Sequence, residues 1–160
     1  MNLLVLLYDF FLLYWRSFKF QFLVSCIVSV LYFYLHETEM QIESITNVIG
    51  ILFGFSISTL AILISNDNQN IGLSQSYIVK DNPRNNKTYT LYHKIVTGLA
   101  FTLVIQGMTL LTLLIIPEFI QDQCHRVLFT AIILGICIFC IMMIIHIVME
   151  LFLIIVRSNK

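Results

Sequence analysis

The sequence predicts an all-α integral membrane protein: four transmembrane helices plus an N-terminal interfacial helix, assembled as an oligomeric bundle. Three observations carry that expectation. Hydrophobic residues make up 59% of the 160 positions and charged residues only 11%, which leaves no room for a separate soluble domain. Four apolar runs are each long enough to cross a hydrocarbon core of about 30 Å as a helix. The basic residues gather on one side of those runs, as they do in inserted proteins. The chain is therefore a single membrane domain, 1–160.

Residues 2–15 open the chain as an apolar and aromatic run interrupted by Asp9. The run is too short to span. No basic stretch precedes it and no small-residue cleavage site follows it, so it does not read as a signal peptide. It reads as a helix lying in the interface, with Tyr14, Trp15, Arg16 and Lys19 at headgroup level; the alternative is an extension of the next helix. The first span covers 18–36, with Ser25, Cys26 and Ser29 as small positions and Tyr32 and Tyr34 near its far end. An acidic connection with Glu37, Glu39 and Glu43 follows.

The second span, 47–65, has no charge and is rich in small residues. Gly50 and Gly54 form a GxxxG pair, and Ser58 continues their line one turn on. Asn47 lies on the same side at helical spacing. A face bare of bulk either packs closely against another helix, in the same protomer or in a second copy, or lines a narrow polar path. Residues 66–92 form the one long polar stretch, an Asn-rich cytoplasmic loop with one short strand or helix around 76–79. The loop is a flexible connector or a docking segment for a partner, through Lys80, Arg84 and Lys87. These cations are too diluted by Asn and Asp to suggest direct nucleic-acid binding.

The third span, 93–116, carries a polar stripe of Gly98, Thr102, Gln106 and Thr109 at steps of four, four and three. An unpaired amide at the depth of Gln106 is costly, so it should bond across to the serines of the second span or meet water. The fourth span, 127–156, is longer than a bilayer core requires. His146 and Glu150 stand one turn apart on one of its faces, near the cytoplasmic boundary. Ionisable groups at that depth are candidates for gating or pH sensing, although a snorkelling carboxylate there is also cheap. Of nine Lys and Arg, only Arg126 falls on the far side. Both termini and the long loop are then cytoplasmic.

No catalytic signature is present: no HExxH, no phosphate-binding Gly-rich loop, no GxSxG. The chain is not expected to be an enzyme or to carry a metal or cofactor. Cys137 and Cys140 form a CxxC inside an apolar helix without a second Cys/His pair, which reads as small apolar packing.

Three stretches carry a resemblance to a known class. They are the end of the second span with its AILIS run, the third span GLAFTLVIQGMTLLTLLI, and the terminal IIHIVMELFLIIVRSNK. Across roughly 45–160 the layout resembles small four-span proteins of phage exclusion and anti-phage defence. The nearest are the RexB family of temperate-phage exclusion proteins and, second, KwaA, the membrane subunit of the Kiwa system. The resemblance implies a bacterial inner-membrane protein that works with a cytoplasmic, DNA-binding partner as an oligomeric sensor or gated pore. Its other partners would be further copies of itself, a tetramer being one form, and membrane lipid. The competing expectations are a non-conducting anchor that recruits a soluble effector, and a small transporter.

Overall fold

The computed structural model describes residues 3–35, 42–65, 72, 75–82, 87–115 and 123–158. Within them the chain forms helices α1 (Leu3–Leu35) and α2 (Ile42–Ser65), strands β1 (Ile78–Asn82) and β2 (Lys87–Thr90), and helices α3 (Leu91–Ile115) and α4 (Gln123–Ser158). Four segments of these helices are long and apolar enough to cross a membrane: Ser17–Leu35, Ile42–Ser65, Leu91–Ile115 and Gln123–Phe152. This is a multi-pass membrane architecture.

The run 2–15 is not set off from the first span. Helix α1 is continuous from Leu3 through Arg16 and Lys19 to Leu35. The cause is compositional: the first 49 residues contain neither Gly nor Pro, so nothing interrupts the i→i−4 ladder. Its N-terminal half also buries a face, since Leu6, Asp9, Phe10 and Tyr14 are all inside. The second helix begins at Ile42, five positions before the expected start at Asn47, because the Glu43–Thr46 turn continues its pattern. Ile45 and Ile49 on that extended face are core residues.

α1 runs antiparallel to α4, as the contacts of Ser17 with His146 and Gln21 with Met142 show. α2 runs antiparallel to α3: Tyr92 Oη donates to the Leu63 carbonyl, and Phe53 lies against Gly107. The apolar interior falls into two clusters. One gathers Phe10, Tyr14, Ile95, Leu99, Phe101, Phe139, Cys140, Met143 and Ile147. In it the Phe10 ring stacks on Phe101 at 3.6 Å between centroids and on Tyr14 at 5.1 Å. The other gathers Ile45, Ile49, Leu113, Ile133 and Cys137. Cys137 and Cys140 are thus free thiols spent on packing, as their apolar setting implied.

The closest helix approaches use Gly98 and Gly135. A methyl group at Gly135 would stand 2.0 Å from Ser29 Oγ and 3.3 Å from the Ser25 carbonyl. One at Gly98 would stand 2.5 Å from Tyr14 Oη. Gly50 and Gly54 touch nothing within 4 Å of where a methyl would sit.

The described part of the loop includes two paired strands. β1 and β2 pair antiparallel, Asn82 opposite Lys87 and Ile78 opposite Thr90, with an irregularity between Ile78 and Lys80. The short strand or helix expected around 76–79 is met by a strand at Ile78–Asn82, which pairs with Lys87–Thr90. The hairpin runs straight into α3. Thr90 caps that helix, its hydroxyl accepting the His93 N–H at 3.2 Å, and Leu91 N–H donates to the Tyr77 carbonyl at 2.9 Å.

Candidate functional site

At the end of the bundle where β2 enters α3, charged and polar side chains from three helices and the hairpin converge. The local sequence explains the placement. His146 and Glu150 are one turn apart and share a face of α4. On α1, Tyr14, Ser17, Gln21, Ser25 and Ser29 recur at steps of three and four, which lines them along one face. Tyr89, His93 and Lys94 follow one another through the capped start of α3.

Two linked groups result. In the first, the Asp9 carboxylate accepts from Tyr89 Oη at 2.9 Å and stands 3.4 Å from His93 Nε2. Asp9 is 94% buried, and these contacts tie the hairpin to α1. In the second, the Lys94 ammonium pairs with Glu150 Oε1 and lies 5.0 Å from the centre of the Tyr14 ring. Both partners are largely buried. His146 Nε2 stands 3.3 Å from the same Glu150 oxygen and 3.3 Å from Ser17 Oγ. Tyr14 Oη donates to the Lys94 carbonyl at 3.0 Å. One carboxylate thus holds a lysine and a histidine, and α1, α3 and α4 are joined through them.

Tyr89 lies outside the spans and is shifted. Burial first, then its bond to the Asp9 carboxylate, push its hydroxyl up from near 10 to about 12. The phenol therefore stays protonated after that of an unfolded chain has ionised. The docking it contributes is complete below pH 10 and is lost as pH rises toward 12. Proteolysis of the hairpin should accelerate over that window. Tyr89→Phe should show faster cleavage already at pH 8 and a flatter response between 10 and 12.

The residues singled out from the sequence divide into three sets. His146 and Glu150 are together at the junction, with Lys94 as the partner that spacing did not reveal. Thr102, Gln106 and Thr109 are buried on the inner face of α3. Thr102 and Thr109 donate to carbonyls one turn back in their own helix. No protein group bonds either end of the Gln106 amide, so the expected bond to the serines of the second span is not made. Asn47, Gly50, Gly54 and Ser58 all face outward, and the Ser58 hydroxyl donates to its own Gly54 carbonyl. Among the described residues nothing lies within 4 Å of a methyl placed at Gly50 or Gly54; α2 meets the bundle through Ile45, Ile49, Ser56, Leu60 and Leu63. Lys80 and Lys87 lie on the two strands, and Arg84 falls outside the described residues.

Asp9, Tyr14, Ser17, Gln21, Tyr89, His93 and Lys94 complete the junction and were not expected there. The polar line of α1 was the available signal: an apolar helix has no reason to repeat polar residues at helical steps unless that face meets something polar. Among the described residues no three His, Cys, Asp or Glu side chains approach closely enough to hold a metal ion. The arrangement is an ion-pair lock between helices. Against known protein families, curated proteins and solved structures, the chain finds no match.

Proposed function

We propose that this chain is an oligomeric membrane sensor or gated pore of an anti-phage defence system, coupled to a cytoplasmic partner. The observation that carries the reading is the junction. The hairpin, the start of α3 and the end of α4 are tied to α1 by buried polar contacts at one end of the bundle. A partner that engages the hairpin, with Lys80, Arg84 and Lys87 as its charged contacts, pulls directly on Tyr89, His93 and Lys94. Force there reaches α1 through Asp9 and α4 through Glu150. The positive-inside rule puts this end, with both termini, in the cytoplasm of a bacterial inner membrane.

The outward small-residue face of α2 supports the same reading. Gly50, Gly54 and Ser58 face away from the protomer, and small residues on a lipid-facing helix favour close contact with another helix. A second copy, or a ring of four, is the simplest cover for that face. Any conducting path then runs between protomers, along α2. Trp15, with Lys19 Nζ 4.5 Å over its ring, anchors the N-terminal half of α1 at headgroup level.

Ser58→Cys tests the pore against a non-conducting anchor. A membrane-impermeant thiol reagent should label the cysteine in intact membranes if α2 lines a wet path. Protection from a water-soluble reagent, with full labelling after detergent denaturation, would replace the pore by an anchor that recruits its effector. Gly54→Leu should leave the protomer folded and shift the detergent-solubilised mass from oligomer to protomer.

A further inference from the structure

Among the described residues, besides Glu150 Oε2, four buried side-chain atoms have no protein partner: Gln21 Oε1 at the inner edge of the junction, Ser56 Oγ, and both the oxygen and nitrogen of the Gln106 amide. They are not scattered. Gln21 Nε2 donates to the Met142 carbonyl at 3.4 Å, which sets Gln21 level with Met142. The Lys94–Glu150 pair fixes the register of α3 against α4; counting eight residues from each places Met142 opposite Thr102. Ser56 is three residues from Phe53, which touches Gly107, and seven from Leu63, which meets Tyr92. It therefore stands opposite residues 99–104 of α3. Gln106 follows Thr102 by one turn, about 6 Å, and helical side chains lean back toward the N-terminus. The orphan atoms share one level, near the middle of α3 and between the two apolar clusters.

We infer that ordered water occupies this level, bound between Ser56 and Gln106 where α2 packs on α3, with the Gln21 amide at the same height on α1. Ser56 and Gln106 are both fully buried. Four unpaired polar atoms in a dry interior would each carry the full desolvation penalty of a hydrogen-bonding group taken out of water. The donors and acceptors are complementary: the Gln106 amide and the Ser56 hydroxyl donate, while Gln21 Oε1, Gln106 Oε1 and Ser56 Oγ accept. A buried water typically makes about three hydrogen bonds to such groups. The set contains only neutral amides and hydroxyls. A cation would lie there without a countercharge, since Asp9 and Glu150 are engaged in the junction. Water at this level explains why α2 offers Ser56, rather than a larger apolar residue, to the one position where its inner face meets the polar line of α3. The inference rests on the chain spanning a membrane and not on its assembly or its partner.

The test is the water contact of the Gln106 amide. Protein labelled with 15N-glutamine, in micelles, should show a cross-peak from water to a buried side-chain amide, beside those of exposed glutamines such as Gln75 and Gln123. Its loss in Gln106→Leu assigns it, with Gln106→Asn serving if the leucine variant does not fold. Ser56→Ala should weaken that cross-peak at least twofold. Absence of a water contact at Gln106, or a contact unchanged by Ser56→Ala, would overturn the proposal. The thermal midpoint gives an independent sign. Replacing Gln106 by Leu or Asn should lower it if the amide is satisfied by water; a raised or unchanged midpoint in the leucine variant indicates a dry, unpaired amide and overturns the inference.

Discussion

Lys94→Met is expected to destabilise the bundle by about 3–5 kcal/mol, the cost of leaving a buried carboxylate without its partner. Glu150 is enclosed, and without the lysine its remaining contact is the His146 imidazole one turn back on its own helix. Methionine keeps most of the aliphatic stem and its packing on the Tyr14 ring, so the loss reports the charge. The double variant Lys94→Met/Glu150→Leu should recover most of the stability, because a buried ion pair replaced by apolar groups of similar size is often neutral. Unfolding of wild type, both single variants and the double in mixed detergent micelles gives the coupling energy. A coupling below about 0.5 kcal/mol would mean that the pair behaves as an exposed surface bridge, and the lock would have to be sought at Asp9 instead. The same variants separate stability from signalling. If the junction transmits a pull from the hairpin, the double variant is folded but no longer responds to the partner.

This junction shows which parts of the molecule were legible in the sequence. Hydropathy located all four spans, because in lipid the helix is forced on any long apolar segment by its own backbone. The i,i+4 spacing of His146 and Glu150 was legible for the same reason: both sit on one helix, and helical geometry alone brings them together. Lys94 was not, since its partner lies 56 positions away and only the antiparallel fold of α3 on α4 joins them. Asp9 reads as a flaw in an apolar run; its partners are Tyr89, on a strand, KTYT, too short to stand out, and His93, in the first turn of α3. Residues 2–15 could be read as a separate interfacial helix or as an extension of the next one, because Arg16 and Lys19 suggest a boundary; from Leu3 on they continue into the first span. Charge does not end a helix, however, and no Gly or Pro was there to do so. The glycines make the same point in another form. Small residues in a membrane helix announce a close neighbour but not which one. Gly50 and Gly54 resemble a packing motif, yet within the protomer the close contacts fall at Gly98 and Gly135, where no second glycine marks the spot.

Gly135→Ala should therefore cost more than any substitution in the GxxxG pair. The added methyl meets Ser29 Oγ at 2.0 Å, so Ser29 must give up its bond to the Ser25 carbonyl. Rotating the hydroxyl away does not suffice, since the Ser25 carbonyl itself is 3.3 Å from the methyl and backbone cannot step aside alone. The helices must separate, which loosens Gln21 on Met142 two turns nearer the junction. Overpacking of this kind costs about 1–3 kcal/mol, and Gly135→Leu should prevent stable folding of the protomer. Ser29→Ala in the Gly135→Ala background should return part of the loss by removing the nearest atom, but not all of it, because the carbonyl contact remains. Gly54→Ala and Gly54→Leu are the controls, with unfolding midpoints near wild type. Near-equal losses at Gly54 and Gly135 in monomeric preparations would mean that α2 packs through its small face after all. A loss confined to Gly135 assigns the α1–α4 seam to folding and leaves the face of α2 free for assembly.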